Sequence, residues 1–269
     1  MRSSGSSRSN RAVRNFRLSI LIMQTVIAVC VIAAWEGIAR YKLMNPMFLG
    51  QPSLIVQYVI DGMRDGTLVR AAGVTLAETL MGFFAGVTIG SLIGFALWWS
   101  SLAGRVMQPV LVVFNAIPKI ALAPIFMVLL GVGFWMKMSL AFTNVVVLAA
   151  LTAYSGCRQA DPDLMDLIRA VGGSRWRIFT MIVMPTSLMW IISTLEICLG
   201  LAFVGAVTGE FLAAREGLGY LALYGSNIFN MNIIWVAVFS MMFVTGVLAA
   251  GVRRLERRYL DWRPQTTSI

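Results

Sequence analysis

The 269-residue chain contains no histidine, which excludes Ser-His and Cys-His catalysis, imidazole proton relays and histidine metal sites together. Cysteine is sparse: Cys30, Cys157 and Cys198 stand apart, without C-x-x-C spacing, each in or beside an apolar run. They read as buried free thiols, not as a disulfide framework or metal ligands. Charge is scarce as well, at 13% of residues, where a soluble domain carries about 25%. With 58% hydrophobic residues and a mean hydropathy of +0.79, a soluble globular domain is excluded. Acidic residues number 12 against 22 basic ones. The excess falls in short clusters between apolar runs, a pattern of membrane topology and not of nucleic-acid binding. No G-x-x-x-x-G-K-[ST] motif occurs, so this chain carries no nucleotide-binding loop of that kind.

What the chain has instead is long apolar runs. A helix crossing a bilayer needs about 20 mostly apolar residues, and six stretches qualify. They are 18–39 with Glu36 near its end, 71–99 with Glu78, 106–130 with Lys119, the uncharged 138–155, 179–207 with Pro185 and Glu196, and the uncharged 233–252. The expected fold is therefore an all-α membrane protein with six transmembrane helices. Its divisions are a flexible tail at 1–17, a first span at 18–40, an external linker at 41–70, a transmembrane core at 71–255 and a tail at 256–269. In the linker, Ser53 is placed to cap a short helix. The Arg- and Ser-rich start is similar to a signal-peptide n-region, but the run behind it exceeds the 7–15 residues of a cleaved segment. It is expected as a retained span.

Placing both termini in the cytoplasm puts 15 of the 22 basic residues inside and 6 outside, Lys137 among the latter, with Lys119 in a span. The positive-inside rule favours that orientation. Trp98, Trp99, Trp176 and Trp262 read as interface anchors.

The most informative segment is the loop between the fourth and fifth spans, at 157–178. Asp161 is a good N-cap, Pro162 suits the first helical position, and Asp163 and Asp166 lie near the positive end of the dipole. Gly172 is the expected left-handed stop, and Ser174 begins a second short helix with Arg175, Trp176 and Arg177. Leu164, Leu167, Ile168 and Val171 fall at i, i+3, i+4 and i+7, one apolar face of a helix of about ten residues. Physics leaves two readings: a helix lying on the inner leaflet, or one entering a groove on a cytoplasmic partner.

This loop resembles the coupling segment of importer-type ABC permeases, whose pattern is Glu-Ala-Ala, three residues, Gly, nine residues, Ile, one residue, Leu-Pro. Asp166-Leu167-Ile168, Gly172, Ile182 and Met184-Pro185 occupy those places with complete spacing. Asp stands for Glu, Leu-Ile for Ala-Ala and Met for Leu. The segments A-I-P-K-I-A-L-A-P (116–124), G-E-F-L-A-A-R-E-G-L-G-Y-L (209–221) and R-R-L-E-R-R-Y-L-D-W-R-P (253–264) resemble permeases of the nitrate/sulfonate/taurine class. The resemblance implies a type I importer permease that is not an enzyme and holds no cofactor, ATP and Mg being bound by two partner ATPase subunits. It further implies a second permease copy, most simply a homodimer, a periplasmic solute-binding protein and a bacterial inner membrane. The helix at 162–171 would be the ATPase lever, with Gly172 and Pro185 as points where the chain changes direction. The solute would be nitrate, a sulfonate, taurine, a related organic acid or a pyrimidine precursor.

Ionisable groups within spans are costly and need partners or water. Lys119 has two readings: an ion pair with Glu78 or Glu196 that fixes packing, or a positive site on an anion path shared with Asn115, Asn144 and those carboxylates. Thr143 is a weaker polar candidate, and Glu210 is expected to anchor the outer loop. Glu36, Glu78, Lys119 and Glu196 also admit an ion-coupled secondary carrier, against which stand the loop and the missing inverted repeat.

Overall fold

The computed structural model of the chain describes residues 5–41, 49–213 and 215–260. Among these, every regular element is helical. The first helix, α1, is Gly5–Arg40 and starts well ahead of the expected span. The flexible tail expected at 1–17 is thus corrected from Gly5 onward. No proline interrupts the stretch, and each residue added to a nucleated helix gains a backbone hydrogen bond. Cys30 on this helix is exposed, whereas Cys157 and Cys198 are buried as expected.

The short helix α2 is Pro52–Arg64. Its cap is not Ser53. The Glu36 carboxylate on α1 accepts from Gln51 Nε2 (2.7 Å), Ser53 N–H (3.0 Å) and Ser53 Oγ (2.9 Å), setting a negative charge on the positive end of α2. Glu36 is accordingly a tie between two helices.

Helices α3 (Thr67–Trp99) and α6 (Phe134–Arg158) form the centre of the molecule. Gly82, Gly86, Gly90 and Gly94 recur every fourth residue along α3 and bring its backbone against α6. A Cβ at Gly82 would lie 2.5 Å from Ala141 Cβ, and one at Gly94 would lie 2.5 Å from Ala153 Cβ. Small residues at this spacing let helices approach where no hydrophobic force drives them together. Buried Phe83, Val145, Leu199 and Ala202 extend the same core onto α9 (Met184–Ala213).

The third span is not one helix. It consists of α4 (Ser101–Ala116), a 3₁₀ turn (Lys119–Leu122) and α5 (Ala123–Leu130), bent by 88°. Ile117, just before Pro118, is extended (φ −65°, ψ 131°), because proline bars the helical region to its predecessor. Counting that pair as one span, the described residues contain six candidate spans.

After α7 (Pro162–Ala170) and the four-residue α8 (Arg175–Ile178), a π turn (Phe179–Val183) leads into α9. The change of direction expected at Pro185 does not occur, since Arg175–Ala213 reads as one long span. The π turn, in which Met184 N–H bonds to the Phe179 carbonyl, accommodates the proline without a break. The chain closes with α10 (Leu218–Asn227) and α11 (Met231–Leu260). The expected tail is helical to Leu260, and Trp262 lies outside the described residues.

Candidate functional site

The loop helix α7 is built from local signals. The Asp161 carboxylate accepts from Asp163 N–H at 2.9 Å, Pro162 opens the helix, and Gly172 (φ +77°) ends it. Gly173 N–H then returns to the Ile168 carbonyl at 2.8 Å, and Ser174 Oγ accepts from Arg177 N–H at 3.3 Å. Asp166 and Arg169 pair on the surface at 2.5 Å.

Burial divides the apolar face in two. Ile168, with Met165, packs on Cys157, Ile178 and Phe179 and holds α7 to the core. Leu164, Leu167 and Val171 are 48%, 62% and 76% exposed. Arg175 and Trp176 act differently from the outward residues. Arg175 Nη2 donates to the Trp99 carbonyl (2.6 Å) and lies over the Trp98 and Trp99 rings at 5.3 and 5.4 Å. Trp176 packs on Trp99 and Phe179. These contacts tie the segment after α7 to the end of α3. The helix is an outward apolar ridge on an anchored base.

At the opposite end of α3 and α6 lies a buried polar cluster. Lys137, expected in an outer connection, stands in the first turns of α6, 5% exposed, and pairs with fully buried Glu78 on α3. Beyond Lys137, the Glu78 oxygens meet no N–H or hydroxyl donor among the described residues, and the Glu210 carboxyl lies beside them. On the same face of α3, one turn earlier, Thr75 Oγ1 donates to Glu210 Oε1 (2.6 Å) and accepts from Leu218 N–H (2.8 Å). Gly219 N–H donates to Glu210 Oε2 at 2.5 Å. Glu210 therefore does anchor the segment entering α10. Gly217 (φ +116°) leaves no room for a side chain beside that carboxylate. The pairing was missed because Lys137 lies near a glycine-bounded turn; its apolar flanks, Met136 and Met138, were the available signal.

The packing pair expected for Lys119 is not formed, because both carboxylates have other partners. Glu78 holds Lys137, and Glu196 accepts from Arg253 at 2.6 Å. Lys119 sits at the break in the third span, where its Nζ donates to the Asn115 carbonyl, with Asn115 Oδ1 at 3.5 Å. Asn144 donates to the Leu140 carbonyl (3.2 Å) and lies against Gly205 at the α6/α9 contact. Thr143 bonds back to the Ser139 carbonyl. The five expected path residues are thus not gathered into one site.

Six candidate apolar spans, the third of them broken, and an anchored amphipathic loop helix between the fourth and fifth define a multi-pass α-helical membrane protein. The chain belongs to the family described as binding-protein-dependent transport system inner membrane component, which matches residues 86–261. It is 28% identical to the formylaminopyrimidine transport permease protein of Halalkalibacterium halodurans, over 89% of this chain and 95% of that one. It is 23% identical to the taurine transport system permease protein of Escherichia coli, over 86% of each. Against the putative aliphatic sulfonates transport permease protein of Bacillus subtilis it is 23% identical, over 87% and 84%. Its fold is similar to a chain of the MetNI methionine ABC transporter in an inward-facing conformation, at TM-score 0.65 and 19% identity, covering 73% of this chain and 97% of that one. The chain is an ABC importer permease subunit, as the loop pattern implied, and family membership sets aside the ion-coupled carrier. That membership implies ATPase and solute-binding-protein partners.

Proposed function

We propose that two copies of this chain form the path of an ATP-driven importer, with two ATPase subunits seated on α7 and a periplasmic protein delivering a small anionic solute. Both termini lie in the cytoplasm, and ATP and Mg are held by the ATPases. The observation that carries the reading is the ridge of Leu164, Leu167 and Val171, exposed on a helix whose other side is packed and whose ends are capped. Closure of the ATPases around such a ridge would move α7 as a rigid piece, and the Arg175 and Trp176 contacts would pass that motion to α3. Replacing Leu164 and Leu167 by Asp should abolish ATPase co-purification or uncouple hydrolysis from uptake while leaving membrane insertion normal. Full assembly and uptake in that variant would favour a helix resting on the leaflet.

Nitrate, sulfonates, taurine or a related organic acid suit Lys119, which forms no ion pair among the described residues and sits where the broken span frees backbone groups. Asn115 is the companion polar group; Glu78, Glu196 and Asn144 are engaged in packing. Lys119→Met should lower uptake without loss of thermal stability, since no carboxylate is stranded. A neutral pyrimidine-type solute is the second reading, favoured by the 28% identical relative. Uptake that is indifferent to Lys119→Met supports it.

A further inference from the structure

A cavity of about 730 Å³ lies behind α7, walled by the end of α3, the start of α4, the end of α6 and the inner side of α7. Four arginines line it, Arg105, Arg158, Arg169 and Arg175, and none of its lining residues is acidic. Among the described residues, Arg169 alone of the four has a carboxylate partner, Asp166. Arg105 donates to the Ser101 carbonyl (3.2 Å), Arg158 to Gln108 Oε1 (3.3 Å) and Arg175 to the Trp99 carbonyl. A guanidinium has five N–H donors, so most of theirs remain free. Tyr154, 5% exposed, also lines the wall, and its hydroxyl makes no hydrogen bond among the described residues. The N-terminus of the 16-residue α4 opens here and adds a positive dipole end. The Trp98, Trp99 and Trp176 cluster borders the site, as aromatic belts do at the headgroup level.

We propose that this cavity binds a phosphate-bearing anion, the headgroup phosphate of an acidic glycerophospholipid in the adjoining leaflet or a soluble phosphate. Planar arginine forks match phosphate oxygens bidentately, and basic pockets between span ends suit acidic headgroups. A bound phosphate would bridge α7 to the ends of α3, α4 and α6, whichever partner the outer ridge meets.

The test uses the purified full chain in phosphatidylcholine nanodiscs. Thermal midpoint and retained lipid by native mass spectrometry are read after adding phosphatidylglycerol, and in a parallel arm inorganic phosphate against sodium chloride at equal ionic strength. Phosphatidylglycerol should raise the midpoint and remain bound. Arg105→Gln with Arg158→Gln should weaken the effect about 100-fold, from two lost charged hydrogen-bonding groups, while exposed Arg64→Gln leaves it unchanged. A shift reproduced by inorganic phosphate and lost in the double variant assigns the site to a soluble anion. If the double variant does not fold, Ser101→Glu, which puts a negative charge in the lining at an exposed side chain that makes no hydrogen bond among the described residues, must abolish the shift. No shift in either arm, or a phosphatidylglycerol shift that survives these substitutions, overturns the proposal.

Discussion

Lys137→Met should be among the most destabilising single substitutions in the chain. The Lys137 side chain is 6% exposed and that of Glu78 is fully buried, so removing the ammonium leaves two adjacent buried carboxyls, Glu78 and Glu210, without their cation among the described residues. Breaking a buried pair from one side costs about 3–5 kcal/mol, because the remaining buried charge has lost its counter-ion. At roughly 2–4 °C per kcal/mol for a chain of this size, the midpoint should fall by about 6–20 °C. A neutral pair, Glu78→Gln with Lys137→Met, should recover most of that loss, and the double-mutant cycle should yield a coupling of 2 kcal/mol or more, by order of magnitude about half the single loss. A thiol-reactive fluorogenic dye can report unfolding from buried Cys157 and Cys198 once exposed Cys30 is changed to Ala. Equal losses in the single and double variants, or a single variant as stable as the parent, would refute the reasoning.

Three further outcomes are expected. Gly86→Val places a Cβ 2.7 Å from Val145 Cβ and should part α3 from α6, costing about 1–3 kcal/mol or more in the same unfolding assay. Gly217→Ala meets both a positive φ and the Glu210 carboxylate, so hydrogen exchange across Leu218–Asn227 should rise while α3 remains protected. In a cysteine-free background, single cysteines at exposed positions 60 and 226 should be labelled from the periplasmic side and one at 170 should not, and reversed labelling would overturn the orientation.

Local chemistry, and so the sequence, determined much of this protein. The apolar run lengths specified six spans, and Pro118, by barring the helical region to Ile117, accounts for the break the structure shows in the third. Asp161, Pro162, Gly172 and Ser174 delimited α7 and α8, because caps and left-handed stops act over only a few residues. The family was legible for the same reason, since its pattern lies within the short stretch from Asp166 to Pro185. Tertiary structure decided the partners of the buried charges. A carboxylate in a span demands a cation, but only the closeness of α3 to α6, permitted by the glycine row, assigns Glu78 to Lys137 and so leaves Lys119 without a carboxylate partner among the described residues. It likewise turned Glu36 into the cap of α2 and divided one apolar stripe on α7 into an anchored Ile168 and an exposed ridge. Periodicity tells which residues share a helix face; what that face meets depends on groups brought close by folding from distant parts of the chain.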